Sequence, residues 1–498
     1  MKYYIKYMAL LAVLLTACEP EFENSIEDEG FYSNGDVDFS NFVAVGNSLT
    51  AGYGDGALYI TGQETSYPNL MAKQFSFVGG GEFNQPLMND NLGGMVLGGQ
   101  QITENRLVLS VGANGPAPKR LAGNPTTEVS NLLTGPFNNM GVPGAKSFHL
   151  LAPGYGNPAG VASGASNPYF ARFASSTDAT VIGDAAAQKP TFFTLWIGNN
   201  DILSYSTSGG VGVDETGNLD PSTYGSNDIT DPNVFASVYS NLVTALSASA
   251  SGGVLINIPD VTSIPYFTTV PYNAIPLDAQ TAAFVNQSYA DYNNAMATYA
   301  FLGYISAEEA TARTINFQAG QNAVVLSDED LTPLPNPAGG TLPMLRQATS
   351  EDLIVLTASS ILGTLADPSN PSSVIGVGVP LSDQYVLTTT EQASVTAAQT
   401  SYNATIQALA QANGLAFVDV KSALAQVSTG GITYDGGVLT STFVTGGTFS
   451  LDGVHPTPRG YAYVTNLIIK EINKTYNSTV PVVNVGDYNT ITISNDVN

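Results

Sequence analysis

Residues 42–49 read Phe42-Val43-Ala44-Val45-Gly46-Asn47-Ser48-Leu49. Four apolar residues run without a polar break, and a glycine and two small polar residues follow. A continuous apolar run of this length predicts a strand covered on both faces. The small residues after it predict a tight turn into a helix that would expose the serine hydroxyl. Three further runs have the same form, at Thr191 to Ile197, Val254 to Ile258 and Ala416 to Val420. Helical spacing of apolar residues lies between them, at Asn233 to Ser249 and at Thr389 to Asn413, where Gly414 is a stop signal. A last helical pattern covers Tyr461 to Tyr476. Buried strands alternating with helices predict an α/β sandwich with a parallel sheet.

The chain has 498 residues, room for more than one domain, yet no charged linker or low-complexity block divides it after residue 38. One domain is expected over 39–480, followed by a C-terminal tail at 481–498. Two stretches break the alternation. Residues near 79–190 are rich in Gly, Asn and Pro, and residues near 260–388 mix Pro turns with a helical pattern from Leu277 to Tyr299. Both are read as insertions at loop ends of the sheet, where they would shape a pocket or lid. Tyr292-Asn293 and Tyr402-Asn403 hold comparable places in their helices, and chance accounts for the repeat.

The formal net charge of −26 excludes counterion-release binding to nucleic acid and argues against a polybasic membrane patch. A single cysteine, Cys18, excludes an internal disulfide and a cysteine metal site. Lys2 and Lys6 precede a short apolar core, Tyr7 to Leu15, and then Leu15-Thr16-Ala17-Cys18. The core is too short to span a bilayer. The small residues before the cysteine resemble a bacterial lipoprotein cleavage box. That resemblance implies a signal peptide over 1–17, lipidation of Cys18 and attachment to a membrane through it. The acidic, Pro-containing stretch from Glu19 would be a tether over 18–38. The implied location is a Gram-negative cell envelope, with the outer membrane expected and both its periplasmic face and the cell surface open.

A hydroxyl attacks an ester at neutral pH when a base lies within hydrogen-bond reach, a third group orients that base, and fixed donors await the developing oxyanion. The chain holds two histidines. His455 lies in Asp452-Gly453-Val454-His455-Pro456, where a carboxylate three residues earlier on a Gly/Pro loop can fold back onto the imidazole. Ser48 follows a strand and a glycine. Asn200 follows another strand in Gly198-Asn199-Asn200-Asp201 and could donate its amide. His149, in Lys146-Ser147-Phe148-His149-Leu150, is the competing base and is read as structural or as a substrate contact.

Together these residues resemble the SGNH, or GDSL-type, hydrolase family. The family's blocks centre on a serine in Gly-Asp-Ser-Leu, a glycine, an asparagine in Gly-x-Asn-Asp and a histidine in Asp-x-x-His-Pro. Here they read Gly46-Asn47-Ser48-Leu49, Asn139-Met140-Gly141-Val142-Pro143-Gly144, Gly198-Asn199-Asn200-Asp201 and Asp452-Gly453-Val454-His455-Pro456, in that order. The family's spacing selects Gly144, with Gly141 as the fallback. The resemblance implies a three-layer α/β/α fold around a flavodoxin-like sheet with large loop insertions. It also implies hydrolysis of carboxylic esters or thioesters without metal or cofactor. Ser48 would be the nucleophile, His455 the base and Asp452 its orienting acid, with Ser48, Gly144 and Asn200 binding the oxyanion. Asn47 departs from the family's Asp and lacks its charge.

The substrate could be an ester-bearing lipid, a glycan or a small molecule, and oligomeric state is left open. An acyltransferase or glycan O-deacetylase would use the same site. A different class altogether is a non-catalytic, glycan-binding or structural surface lipoprotein on the same fold. The glycine clusters at 79–81, 93–94 and 98–99 do not open a helix after a strand, so a dinucleotide site is not expected. Scattered Asp and Asn loops could bind calcium, although none has the spacing of an EF-hand.

Overall fold

The computed structural model of the chain describes residues 31–113 and 115–498. The leader, Cys18 and most of the expected tether therefore lie outside the described residues. Five strands form the central sheet: β1 (Phe42–Gly46), β2 (Asn139–Gly141), β3 (Phe192–Trp196), β4 (Gly252–Ile256) and β5 (Ala416–Val418). Their order is β2-β1-β3-β4-β5, and every neighbouring pair is parallel. This is the flavodoxin-like order, whose direction of winding reverses between β1 and β3. Ligands in such sheets bind beyond the carboxyl ends of the strands at that reversal.

The helices that matter here are, in chain order, α1 (Ser48–Ala51), α2 (Tyr67–Phe75), α3 (Val181–Ala187), α4 (Asn200–Thr207) and α5 (Pro232–Ser247). They continue with α6 (Ala279–Phe301), α7 (Thr389–Ala412), α8 (Val420–Thr429) and α9 (Pro458–Tyr476). Alternate residues of β1 enter different apolar clusters, as a strand's period of two requires. Val43 and Val45 pack with side chains of α3, α5 and α7. Phe42 and Ala44 pack with side chains of α2 and α9 on the other face. That division is the three-layer sandwich. It also explains why the strands read as unbroken apolar runs, since every residue of β1, β3 and β4 is buried.

Local signals set the helix ends. Thr457 caps α9 by accepting from the Gly460 N–H at 3.0 Å, and Pro458 fills the first helical position. Gly414 follows α7 with φ +63°, a conformation that favours glycine. Thr388 and Glu391 form a reciprocal capping box at the start of α7.

The first expected insertion is not one piece. Residues 79–190 contain β2 and α3, which belong to the sandwich, beside a hairpin at Leu107–Gly112 and Gly115–Arg120. The second, 260–388, contains α6 and short antiparallel pairs, such as Val325–Ser327 with Leu345–Gln347. Its apolar residues, including Phe317, Leu326 and Leu381, join the same cluster as Val43 and Leu195. The asparagines of the repeated Tyr-Asn dipeptides make similar contacts, one inside this stretch and one outside it. Asn293 on α6 brackets the backbone of Ile315 at 2.8 and 2.9 Å, and Asn403 on α7 brackets that of Ile258 at 2.8 and 2.9 Å. Residues 481–498 run beside the first hairpin, where Leu109 N–H donates to Thr492 O at 2.8 Å and Ala122 N–H to Asp496 O at 3.0 Å.

Candidate active site

β1 ends at Gly46, where a Cβ would lie 2.1 Å from Thr50 Oγ1 and 2.3 Å from Trp196 O. The chain can turn there because that position carries no side chain. Asn47 is fully buried and caps α1, its Oδ1 accepting from Leu49 N–H at 3.1 Å. Its Nδ2 donates to Asn199 Oδ1 at 3.2 Å, which joins the turn after β1 to the turn after β3. The amide thus supplies a donor that a carboxylate at position 47 would lack. Ser48 opens α1 at the reversal point of the sheet.

The loop from Ser450 to Pro456 delivers the imidazole. Ser48 Oγ lies 2.9 Å from His455 Nε2, and His455 Nδ1 lies 2.9 Å from Asp452 Oδ2. Asp452 Oδ1 accepts from the N–H groups of Val454 and His455 at 2.8 Å and from Ser450 Oγ at 3.0 Å. Its Oδ2 also accepts from Gly56 N–H at 2.9 Å. Burial alone would raise this carboxyl. His455 and these donors outweigh burial and hold it down at about 2. Asp452 is therefore ionised at neutral pH, which places the imidazole proton on Nδ1 and leaves Nε2 to accept from the Ser48 hydroxyl.

A second carboxylate, which sequence reading did not single out, supports the loop. Asp55 Oδ1 accepts from Leu451 N–H at 3.0 Å, its Oδ2 accepts from Tyr59 OH at 3.1 Å, and its own N–H donates to Ser450 Oγ at 2.9 Å. Ser450 Oγ thus sits between Asp55 and Asp452. Burial first, with Asp452 adding, pushes the Asp55 carboxyl up to about 6 against the pull of the Leu451 N–H. Tyr53 lies against the His455 ring with centroids 4.7 Å apart.

Asn200 begins α4 and donates from Nδ2 to Ala145 O at 2.9 Å. That bond pins the turn Val142–Ala145, which contains Gly144 in a left-handed conformation, φ +80°. Gly141 plays a different part. It ends β2 under α1, where a Cβ would lie 2.3 Å from Ala51 N. Asp201 is fully buried and accepts from Ser147 N–H at 2.8 Å and Ser147 Oγ at 2.6 Å, so it anchors the segment after Gly144.

His149 stands apart from this chain of hydrogen bonds. Its Nδ1 accepts from Lys146 N–H at 3.0 Å and its ring stacks on Tyr155 at 4.6 Å. Burial first, then Lys146, pushes it down to about 4, which keeps it neutral near pH 7. It lines a separate cleft with Phe148, Tyr155 and Tyr224.

Ser48 and His455 open onto a narrow cleft that reaches solvent and is walled by Leu203, Val261, Ile264, Leu424, Val427 and Leu467. The wall is almost entirely hydrocarbon. Among the described residues, then, one end of the sheet gathers a hydroxyl, an imidazole, an ionised carboxylate, an amide donor and an apolar cleft.

Neither a protein-family model nor a curated protein sequence matches the chain. Solved structures similar to it include two mutants of Axe2, an acetyl-xylooligosaccharide esterase from Geobacillus stearothermophilus, each at TM-score 0.30 and 10% identity. A catalytic mutant of Axe2, there called an acetylxylan esterase, is similar at TM-score 0.31 and 10% identity. Each alignment covers 88% of this chain and 96% of that one. An overlap this loose leaves any functional reading to rest on the chain's own geometry.

Proposed function

We propose that the chain is a serine hydrolase of carboxylic esters, of the SGNH type. The observation that carries the reading is the unbroken line from Ser48 Oγ through His455 to Asp452, with both contacts at 2.9 Å. In this mechanism Ser48 Oγ attacks the acyl carbon as its proton passes to His455 Nε2. The carbonyl oxygen becomes an oxyanion, held by the N–H groups of Ser48 and Gly144 and by Asn200 Nδ2. An amide has two N–H bonds, so Asn200 can hold Ala145 O with one and the oxyanion with the other. Collapse breaks the ester C–O bond, and His455 protonates the leaving alcohol. Water, deprotonated by His455, then releases the acid and restores Ser48. Asp452 stabilises the imidazolium in both halves.

The hydrocarbon wall beside Ser48 supports an acyl chain longer than acetate as the group bound there. A non-catalytic lipoprotein on this fold would have no need to keep four elements of a reaction centre aligned. The anchoring part of the reading rests on residues 1–18 alone, with Cys18 as the acylated residue.

Labelling with a fluorophosphonate tests the proposal. Expressed in a Gram-negative host, the wild-type chain takes up the probe in the membrane fraction. Ser48→Ala abolishes uptake and ester turnover, and Cys18→Ala moves labelled protein to the soluble fraction. Labelling that survives Ser48→Ala would reject the nucleophile. Unchanged membrane association of Cys18→Ala would reject the anchor.

A further inference from the structure

After α4 the chain turns through Gly209 and Gly210, with φ +66° and +81°. Three carboxyl groups meet beside that turn. Glu329 comes from the second insertion, Asp383 from a short turn before α7, and Glu391 from the first turn of α7. One oxygen from each lies within 4.8 Å of the other two. Glu391 is 4% exposed, and its Oε2 accepts from Thr388 N–H at 2.6 Å and Thr388 Oγ1 at 2.9 Å. Its Oε1 is buried and has no hydrogen-bond partner, and Asp383 Oδ1 is in the same condition. A Cβ at residue 210 would lie 1.8 Å from Glu391 Oε1, so glycine is what lets this carboxyl sit there.

Buried polar atoms without partners are uncommon and costly. Two in one carboxylate cluster call for a proton or a cation to satisfy them. Among the described residues no Lys, Arg or His forms an ion pair with Glu329, Asp383 or Glu391. Arg346, which holds the adjacent Asp328 at 2.5 Å, is also bound to Asp352 at 2.6 Å. Burial first, then the charges of Glu329 and Asp383, push Glu391 up to about 8 against the Thr388 donors. Burial first, then a hydrogen bond shared with Glu329 and that residue's charge, push Asp383 up to about 7.

We propose that Glu329, Asp383 and Glu391 form a calcium site that ties the second insertion to the head of α7. The donor set is oxygen alone, which suits a hard cation and disfavours zinc. Calcium takes oxygens at about 2.3–2.6 Å, so two of its ligands can lie up to about 5 Å apart. Magnesium demands about 2.1 Å in a near-ideal octahedron, a poor match to three carboxyls drawn from irregular turns. A surface cleft lined by Gly210, Val211, Ser327, Glu329, Pro343 and Asp383 gives an ion access from solvent. The competing arrangement is a set of carboxyls that share protons and bind nothing.

Calorimetric titration of the chelator-treated full chain with calcium chloride, alongside thermal denaturation, separates the two. The site predicts one calcium per chain, with a dissociation constant between about 10 µM and 1 mM, and a Tm that rises with calcium. Glu391→Gln and Glu329→Gln should each weaken binding at least about tenfold, the scale of losing one charged ligand. The Glu329 side chain is exposed, so its replacement leaves the fold intact. No heat and no Tm response up to about 10 mM calcium, above the weakest range of such sites, would overturn the proposal. So would a response that both variants keep. Ser48→Ala should bind calcium like wild type, so the outcome is independent of the ester chemistry.

Discussion

In the proposed mechanism Asn200 serves geometry and chemistry together. Its bond to Ala145 O at 2.9 Å holds the turn that carries Gly144. The remaining N–H of the same amide faces no described partner. In the proposed mechanism, replacement by alanine removes both effects, and the loss falls on the transition state, where the oxyanion exists. Asn200→Ala should therefore lower kcat about 100- to 1,000-fold, with a smaller change in KM. Steady-state kinetics on a soluble ester measure the split. A large KM change at unaltered kcat would assign Asn200 to substrate binding instead. The histidine loop was legible in the sequence because Asp452 and His455 are three residues apart and the bond between them is local. Asp55 was not, because its acceptor role depends on Leu451, 396 residues away. No spacing rule reports such a contact. Gly141 and Gly144 were separable once the backbone was known, one by its close approach to α1 and the other by its positive φ.

At the scale of elements, the cleft is built by a helix that the sequence reading left unassigned. Val420, Ala423, Leu424 and Val427 recur at i, i+3, i+4 and i+7 on α8, and all four are buried along the cleft wall. The long strands and helices were readable from period and length. Others were not: β2 is three residues, Asn139–Gly141, and offers no apolar run to detect. It pairs with β1 through the sheet and is stitched to α1 by Asn139 Nδ2 donating to Thr50 O at 3.0 Å, so tertiary contacts make it a strand. A cleft walled by α8 makes a prediction about acyl length. Ala423→Trp fills the wall next to the proposed acyl path. It should cut kcat/KM for eight-carbon acyl esters at least about tenfold, since each methylene in an apolar pocket is worth about 1–3 kcal/mol. Acetyl esters should change by less than about twofold. A chain-length series measured on both proteins checks this, with Tm as control, because overpacking can cost about 1–3 kcal/mol. Acetate preferred by both proteins would remove the acyl-chain reading while leaving the nucleophile in place.

For the molecule as a whole, the acidity that excluded nucleic acid has a second consequence. Several carboxyls are buried where ionisation is unfavourable. Asp55 is pushed up to about 6 in the folded chain and ionises near 4 when unfolded. Between those values the folded state binds the extra proton, so stability is full below about pH 4 and falls as pH rises through 6. Glu391 and Asp383 have the same sign over windows reaching about 8 and 7 in the absence of a cation. Asp452 has the opposite sign. Its folded value of about 2 lies below the unfolded one, so its contribution is present above about pH 4 and is lost as pH falls toward 2. Self-repulsion of a net charge of −26 adds to the loss at high pH. In chelator, the Tm of the full chain should therefore rise as pH falls from 8 to 5. A two-unit shift at the buried Asp55 corresponds to a cost of the order of 3 kcal/mol at pH 8. Asn at that position keeps an oxygen for Leu451 N–H, so Asp55→Asn should stabilise the protein by about 1–3 kcal/mol at pH 8 and little at pH 5. Denaturation of both proteins at the two pH values decides it. Equal effects at pH 5 and pH 8 would mean that Asp55 carries no buried charge, and the carboxylate beneath the histidine loop would then be a plain hydrogen-bonding group.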